Sequence, residues 1–83
     1  MLLHIGEHRF VPSGSVVAIQ PADDAAPETE RLIRACAEAG RYYPCAGRPK
    51  AYVICCRDET TYVYAASTAV RTLKERIEAG SLP

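Results

Sequence analysis

Acidic side chains are missing from residues 39–57, between Glu38 and Asp58, although that stretch carries Arg41, Arg48, Lys50 and Arg57. Within the stretch itself no carboxylate offsets these cations. The chain as a whole has ten basic and ten acidic residues and a net charge of zero, so its positive charge is local. Residues 20–38 hold the converse, five acids against two bases. A polyanion responds to the local field rather than to the sum, so this asymmetry carries more information than the net charge. Long apolar runs are missing too. None approaches the roughly 18–20 residues of a membrane span. Met1-Leu2-Leu3 runs into His4 and Gly6 without the charged start and long apolar stretch of a signal peptide. A soluble cytoplasmic protein without a membrane partner is expected.

The common catalytic and metal-binding signatures are also lacking. There is no Gly-x-Ser-x-Gly, no phosphate-binding loop of the P-loop type, and no Cys–His pair with an orienting acid. His4 and His8 are the whole histidine complement. Their spacing converges on a helix, but Gly6 between them argues for a strand and turn. Asp23-Asp24 and Asp58-Glu59 read as loop charges. The expectation is a non-enzyme with no cofactor and no metal.

Cys36, Cys45, Cys55 and Cys56 form no Cys-x-x-Cys pair. Adjacent residues point to opposite faces of a strand, so Cys55 and Cys56 do not converge on one metal. A Cys36–Cys45 disulfide needs an oxidising compartment. The reading adopted is buried thiols acting as small hydrophobes.

Eighty-three residues make one domain, residues 1–83, with an ordinary apolar content of 48%. A chain this short buries a modest fraction of its surface, so its core is marginal on its own. No internal repeat or low-complexity tract is present.

Residues 2–5 read as a short strand that Gly6 ends or bulges, with Glu7-His8 as a turn into a second strand at residues 9–11. Pro12-Ser13-Gly14 stops that strand. Residues 16–19, Val-Val-Ala-Ile, predict a third and well-buried strand. A helix is expected over 27–39, with Pro27 in its first turn, Glu28 and Glu30 facing the positive end of its dipole, and Gly40 as its C-terminal cap. Leu32, Ile33, Cys36 and Ala39 make its apolar stripe. Residues 41–46 read as an edge strand because of Pro44, and residues 51–56 as the most strand-like stretch of the chain. Together, residues 41–56 predict a β-hairpin whose tip, Gly47-Arg48-Pro49-Lys50, carries two cations. A turn at 57–60 and a strand at 61–65 follow. Ser67 or Thr68 caps a second helix over about 68–79, whose buried face is Val70, Leu73 and Ile77. Gly80 closes that helix, and residues 81–83 form a frayed tail. The fold class is α+β, a mainly antiparallel sheet of about five to six short strands with two helices, in the order β-β-β-α-β-β-β-α.

Phosphate binding needs guanidinium or ammonium groups on a protruding surface free of acids. Arg48 and Lys50 meet that need, although a solvated turn serving solubility has the same composition. Tyr42, Tyr43, Tyr52, Tyr62 and Tyr64 lie among the bases, and such tyrosines stack unpaired bases or pack against a sheet or subunit. Packing is the reading preferred here. Arg71 and Lys74 on the second helix are further candidate contacts.

In order along the chain, Met1-Leu2-Leu3-His4-Ile5-Gly6, Val16-Val17-Ala18-Ile19, Thr29, Leu32 and Ile33, Gly40, Gly47-Arg48-Pro49-Lys50, Ser67, and Thr72-Leu73-Lys74 with Arg76 resemble one pattern. It is that of the bacterial extracellular matrix regulatory proteins, of RemA and RemB type, and this chain lies nearer the RemB type. The resemblance covers nearly the whole sequence. It implies a small DNA-binding transcriptional regulator that assembles into a homo-oligomeric ring. Arginines on one rim would hold double-stranded DNA, largely through its backbone. Gly47, Arg48 and Lys50 match the family's basic motif; Pro49 stands where a second arginine is usual, and Ser15 where an arginine precedes the third strand. These departures motivate an alternative, an oligomeric interaction or structural module that has lost DNA contacts.

Overall fold

Two pairs of adjacent residues with left-handed backbone organise the strands. Glu7 and His8 have φ of 53° and 60°, and Asp58 and Glu59 have φ of 50° and 64°. Positive φ at both central residues is the signature of the two-residue hairpin turn whose twist matches that of its strands. The computed structural model, which describes residues 1–81, accordingly has two tight hairpins. In the first, β1 (Leu2–Gly6) pairs antiparallel with β2 (Arg9–Pro12), with a register shift between His4 and Gly6. In the second, β5 (Ala51–Arg57) pairs antiparallel with β6 (Thr60–Ala66).

A 3-10 turn (Ser13–Ser15) leads from β2 into β3 (Val16–Pro21), then α1 (Pro27–Glu38), β4 (Tyr42–Tyr43), β5, β6 and α2 (Val70–Ser81). This is the expected α+β order with one 3-10 turn added. The strands divide into a two-stranded sheet, β1-β2, and a four-stranded sheet in the order β3-β5-β6-β4. Three expectations are corrected. First, residues 41–56 do not form a hairpin: β4 shrinks to two residues and pairs parallel with β6, while β5 lies between β3 and β6. Pro44 cannot extend a ladder, so β4 stops before it can turn back. Second, β3 is an edge strand rather than a well-buried one, and its Val17 is 65% exposed at an irregularity between Val16 and Ala18. Third, α2 starts at Val70 and reaches Ser81, so Gly80 does not end it; of the expected tail, Leu82 and Pro83 lie outside the described residues.

Helix α1 begins at Pro27, carries Glu28 and Glu30 in its first turn, and ends one residue earlier than expected. Gly40, at φ 76°, receives the chain beyond it; the amide of Arg41 bonds the Cys36 carbonyl at 2.7 Å and that of Gly40 the Ala37 carbonyl at 3.2 Å. This double bond pattern satisfies carbonyls that the helix end would otherwise orphan. Of its expected stripe, Cys36 is buried, Leu32 and Ile33 are half-buried and Ala39 is exposed, while Thr29 is buried in addition.

The main core is built from Leu3, Ile5 and Val11 of the first hairpin, Ala51, Val53 and Cys55 of β5, Ala66 and Leu73. Val70 and Ile77 pack against it, so α2 lies on the sheet by the face expected from its periodicity. Alternation turns Val63 and Ala65 to the other side, where α1 meets β6 and β4. No described helix is long and apolar enough to cross a membrane.

Gly6 joins the hairpin to the start of α2. Its φ is 110°, and a Cβ there would stand 2.7 Å from Ser67 Oγ and 3.0 Å from Thr68 Oγ1. The Thr68 hydroxyl donates to the Ile5 carbonyl at 3.1 Å, so it has little freedom to retreat. That bond also corrects the expected cap: Thr68 serves β1, and Ala69, whose carbonyl receives the Leu73 amide at 3.1 Å, stands at the helix start. Gly6→Ala is expected to lower stability by about 1–3 kcal/mol, the cost of a strained backbone conformation. In so small a domain that is a fall in Tm of roughly 4–24 °C. A thermal melt unchanged from wild type would refute the close fit.

Candidate nucleic-acid interface

The order β5-β6-β4 dictates where the basic motif goes. Leaving β4, the chain must pass the end of β6 to reach β5, so residues 44–50 cross one end of the sheet. Two backbone bonds fix the far side of this crossing: the Lys50 amide donates to the Ala66 carbonyl at 2.8 Å, and the Lys50 carbonyl accepts from Ala22 at 3.1 Å. The near side is held by the first hairpin. Both carboxylate oxygens of Glu7 accept from the Ala46 amide, at 3.0 and 3.1 Å, and Arg9 donates to the Tyr43 carbonyl at 3.3 Å. Between these ties Gly47, at φ 71°, turns the chain, and Arg48 and Lys50 are exposed.

Arg48, Pro49 and Lys50 line an open pocket of about 460 Å³ together with Asp23 and Ala69. Ala69 immediately precedes α2, whose first turn carries no acidic residue. The partial positive charge of the helix N-terminus therefore adds to that of the two cations. Arg71 lies in the same first turn, exposed, with its Nε 3.4 Å from Glu75. A pair so exposed contributes little to stability and is readily exchanged for another anion. Lys74 lies one turn further along and is exposed. The four candidate residues thus come from two elements, with Arg48, Lys50 and Arg71 near one end of the sheet.

The rest of the basic stretch is elsewhere. Seven residues of β5 separate Lys50 from the far end of the strand, a span of about 23 Å at roughly 3.3 Å per residue. There Arg57 lies 4.6 Å over the Tyr62 ring and donates to the Tyr64 hydroxyl at 3.1 Å. Arg41 Nε donates to the Thr61 carbonyl at 2.8 Å. Tyr43 stacks on Tyr64 at 4.7 Å and lies 6.4 Å from Tyr62. These rings face one another and Arg57, an arrangement of packing rather than an open platform for bases. Burial raises the Tyr64 hydroxyl above the ordinary phenol range, against the opposing pull of Arg57. Burial likewise raises Tyr42, with Tyr52 and Cys45 adding to it.

Two acids from outside the acid-free stretch are brought to the basic loop by the fold. Asp23 shares the pocket, and Glu7 binds the loop backbone. Neither was legible as a site residue, because each lies more than twenty positions away from Arg48 in the chain.

All four cysteines are free. Cys36 and Cys55 are buried as expected, but Cys45 is half-buried and Cys56 exposed. Burial pushes the Cys55 thiol up, opposed by the Ser15 hydroxyl and Arg57, so it is poorly nucleophilic. His4 packs its ring on Phe10 at 4.9 Å while His8 sits in the turn. Among the described residues no group of three or more His, Cys, Asp or Glu is placed to hold a metal ion. Cys45 Sγ lies 4.0 Å from the Gly47 carbonyl, a contact that a hydroxyl replaces. Cys45→Ser is expected to leave assembly intact and stability within about 0.5 kcal/mol. Loss of bound zinc, or a changed elution volume under reductant, would overturn this. No protein-family model and no curated protein matches the chain.

Proposed function

We propose that this protein is a DNA-binding transcriptional regulator of the extracellular matrix regulatory type, nearer its RemB branch, working in the cytoplasm as a homo-oligomer without enzymatic activity or cofactor. The observation that carries the reading is the basic loop: two exposed cations, Arg48 and Lys50, on a crossing tied at both ends beside the start of α2, whose first turn carries no acid. Such a surface suits phosphate oxygens, which are recognised by charge and backbone approach rather than by base edges. Sequence preference would then come from how easily the duplex bends.

Assembly supports the chemistry. Two cations bind a duplex weakly, but a ring of identical subunits repeats them and makes successive contacts intramolecular. Exposed Met1, Leu2 and Phe10 supply apolar surface for subunit contact. Light scattering is expected to give a stable oligomer at micromolar concentration, and gel shift of linear double-stranded DNA a complex at low salt that weakens steeply at moderate salt. A stable monomer sinks the oligomer; free DNA at both salts sinks the regulator. The alternative, an interaction or structural module without DNA contacts, is favoured by Asp23 in the same pocket as Arg48 and Lys50 and by the zero net charge. An oligomer that ignores DNA is its outcome.

A further inference from the structure

The basic loop is held on its near side by a carboxylate, an odd choice beside a surface meant for anions. Glu7 lies at the tip of the β1–β2 hairpin, in a turn whose two positive φ values leave it one backbone conformation. Its side chain is exposed, yet both oxygens converge on one amide, Ala46 N–H, 39 positions away in the chain. A second tie runs from the same hairpin, Arg9 to the Tyr43 carbonyl. The two bracket Pro44 and Cys45 and leave residues 47–49 to span the remaining distance to the Lys50 backbone bonds.

The geometry points to Glu7 as a positioning residue: its carboxylate clamps the loop so that Arg48 and Lys50 are presented already ordered. The inference rests on the phosphate-binding reading above. Hydrogen bonds from an amide to a charged acceptor are among the stronger kind. A loop ordered before binding does not lose that freedom when it meets its ligand. The negative charge itself works the other way, repelling phosphate at a distance set by salt. Clamp and charge therefore make opposite predictions for the same residue, and two substitutions separate them. Glu7→Ala removes both; Glu7→Gln removes the charge but keeps a carbonyl oxygen to accept from Ala46.

The experiment measures amide exchange at Ala46 and binding of a linear double-stranded DNA fragment at two salt concentrations, in wild type and both variants. With Glu7→Ala, Ala46 is expected to exchange roughly tenfold faster and DNA affinity to fall roughly tenfold, with the salt slope unchanged because no phosphate contact is lost. Glu7→Gln is expected to keep Ala46 protected and to bind DNA at least as tightly as wild type. Unchanged Ala46 exchange in Glu7→Ala overturns the clamp. Glu7→Ala binding DNA as tightly as Glu7→Gln overturns its role in binding, since charge alone would then account for Glu7. Wild-type protein that leaves DNA free at both salts overturns the phosphate reading and the positioning role with it, and the exchange data then read the clamp by itself.

Discussion

Truncation of Leu73 to alanine is expected to remove about 2–5 kcal/mol of stability, the range for emptying a leucine site in a closed core. Leu73 is fully buried, at 0% exposure, in the first turn of α2. It belongs to the cluster that joins Leu3, Ile5 and Val11 of the first hairpin to Val53 and Cys55 of β5. Its neighbours come from both sheets, so none can collapse into the cavity without disturbing a strand ladder. A domain with a total stability of roughly 5–15 kcal/mol then has little in reserve. Urea denaturation checks this: the midpoint should fall sharply while the slope stays near wild type. Leu73→Met, which nearly conserves volume, should cost less than about 1.5 kcal/mol. A midpoint for Leu73→Ala close to wild type would mean that α2 is not seated as described.

Alanine at both Arg48 and Lys50 is expected to abolish retention of DNA at moderate salt and leave the oligomer and its Tm intact. Both side chains are exposed, and neither makes an ion pair among the described residues. The bonds that hold Lys50 are its backbone amide and carbonyl, which alanine keeps. Exposed substitutions of this kind stay within about 0.5 kcal/mol in stability. Binding is different, because each phosphate contact contributes about 0.9 to the slope of log affinity against log salt. In the proposed ring the pair is lost once per subunit, so a fall of at least roughly a hundredfold is expected. Gel shift across a salt series, beside light scattering of the same samples, reads both halves of the expectation. A double variant that shifts DNA with unchanged salt dependence moves the interface to Arg71 and Lys74.

The residues themselves mark the parts of the fold that are local. Pro27, the two glutamates after it and Gly40 define α1 to within a residue, because caps and dipole complementarity act over one turn. Val70, Leu73 and Ile77 identify the buried face of α2 by spacing alone. The cap of α2 is not legible along the chain for a tertiary reason: Thr68 has the right chemistry, but its hydroxyl donates to the Ile5 carbonyl of a strand 63 positions away, and the helix starts beyond it at Val70. The edge position of β3 was hidden for a related reason, since a run of β-branched residues suits either an edge or a centre and only its partners decide.

The same division runs through the candidate site. The sequence alone determined that the positive charge is local, that Gly47 allows a sharp turn and that Arg48 and Lys50 flank Pro49. Tertiary structure decided everything about their surroundings. Pairing β4 with β6 instead of β5 turned an expected hairpin tip into a crossing over the end of the sheet. Tertiary packing set Arg57, at the opposite end of β5, among tyrosines. The crossing also brought Asp23, Ala69 and Glu7 to the basic loop. Turn and cap preferences are energies of neighbouring residues and can be read along the chain. Strand order is settled by which distant segments bury the most apolar surface together, and that competition involves the whole molecule at once.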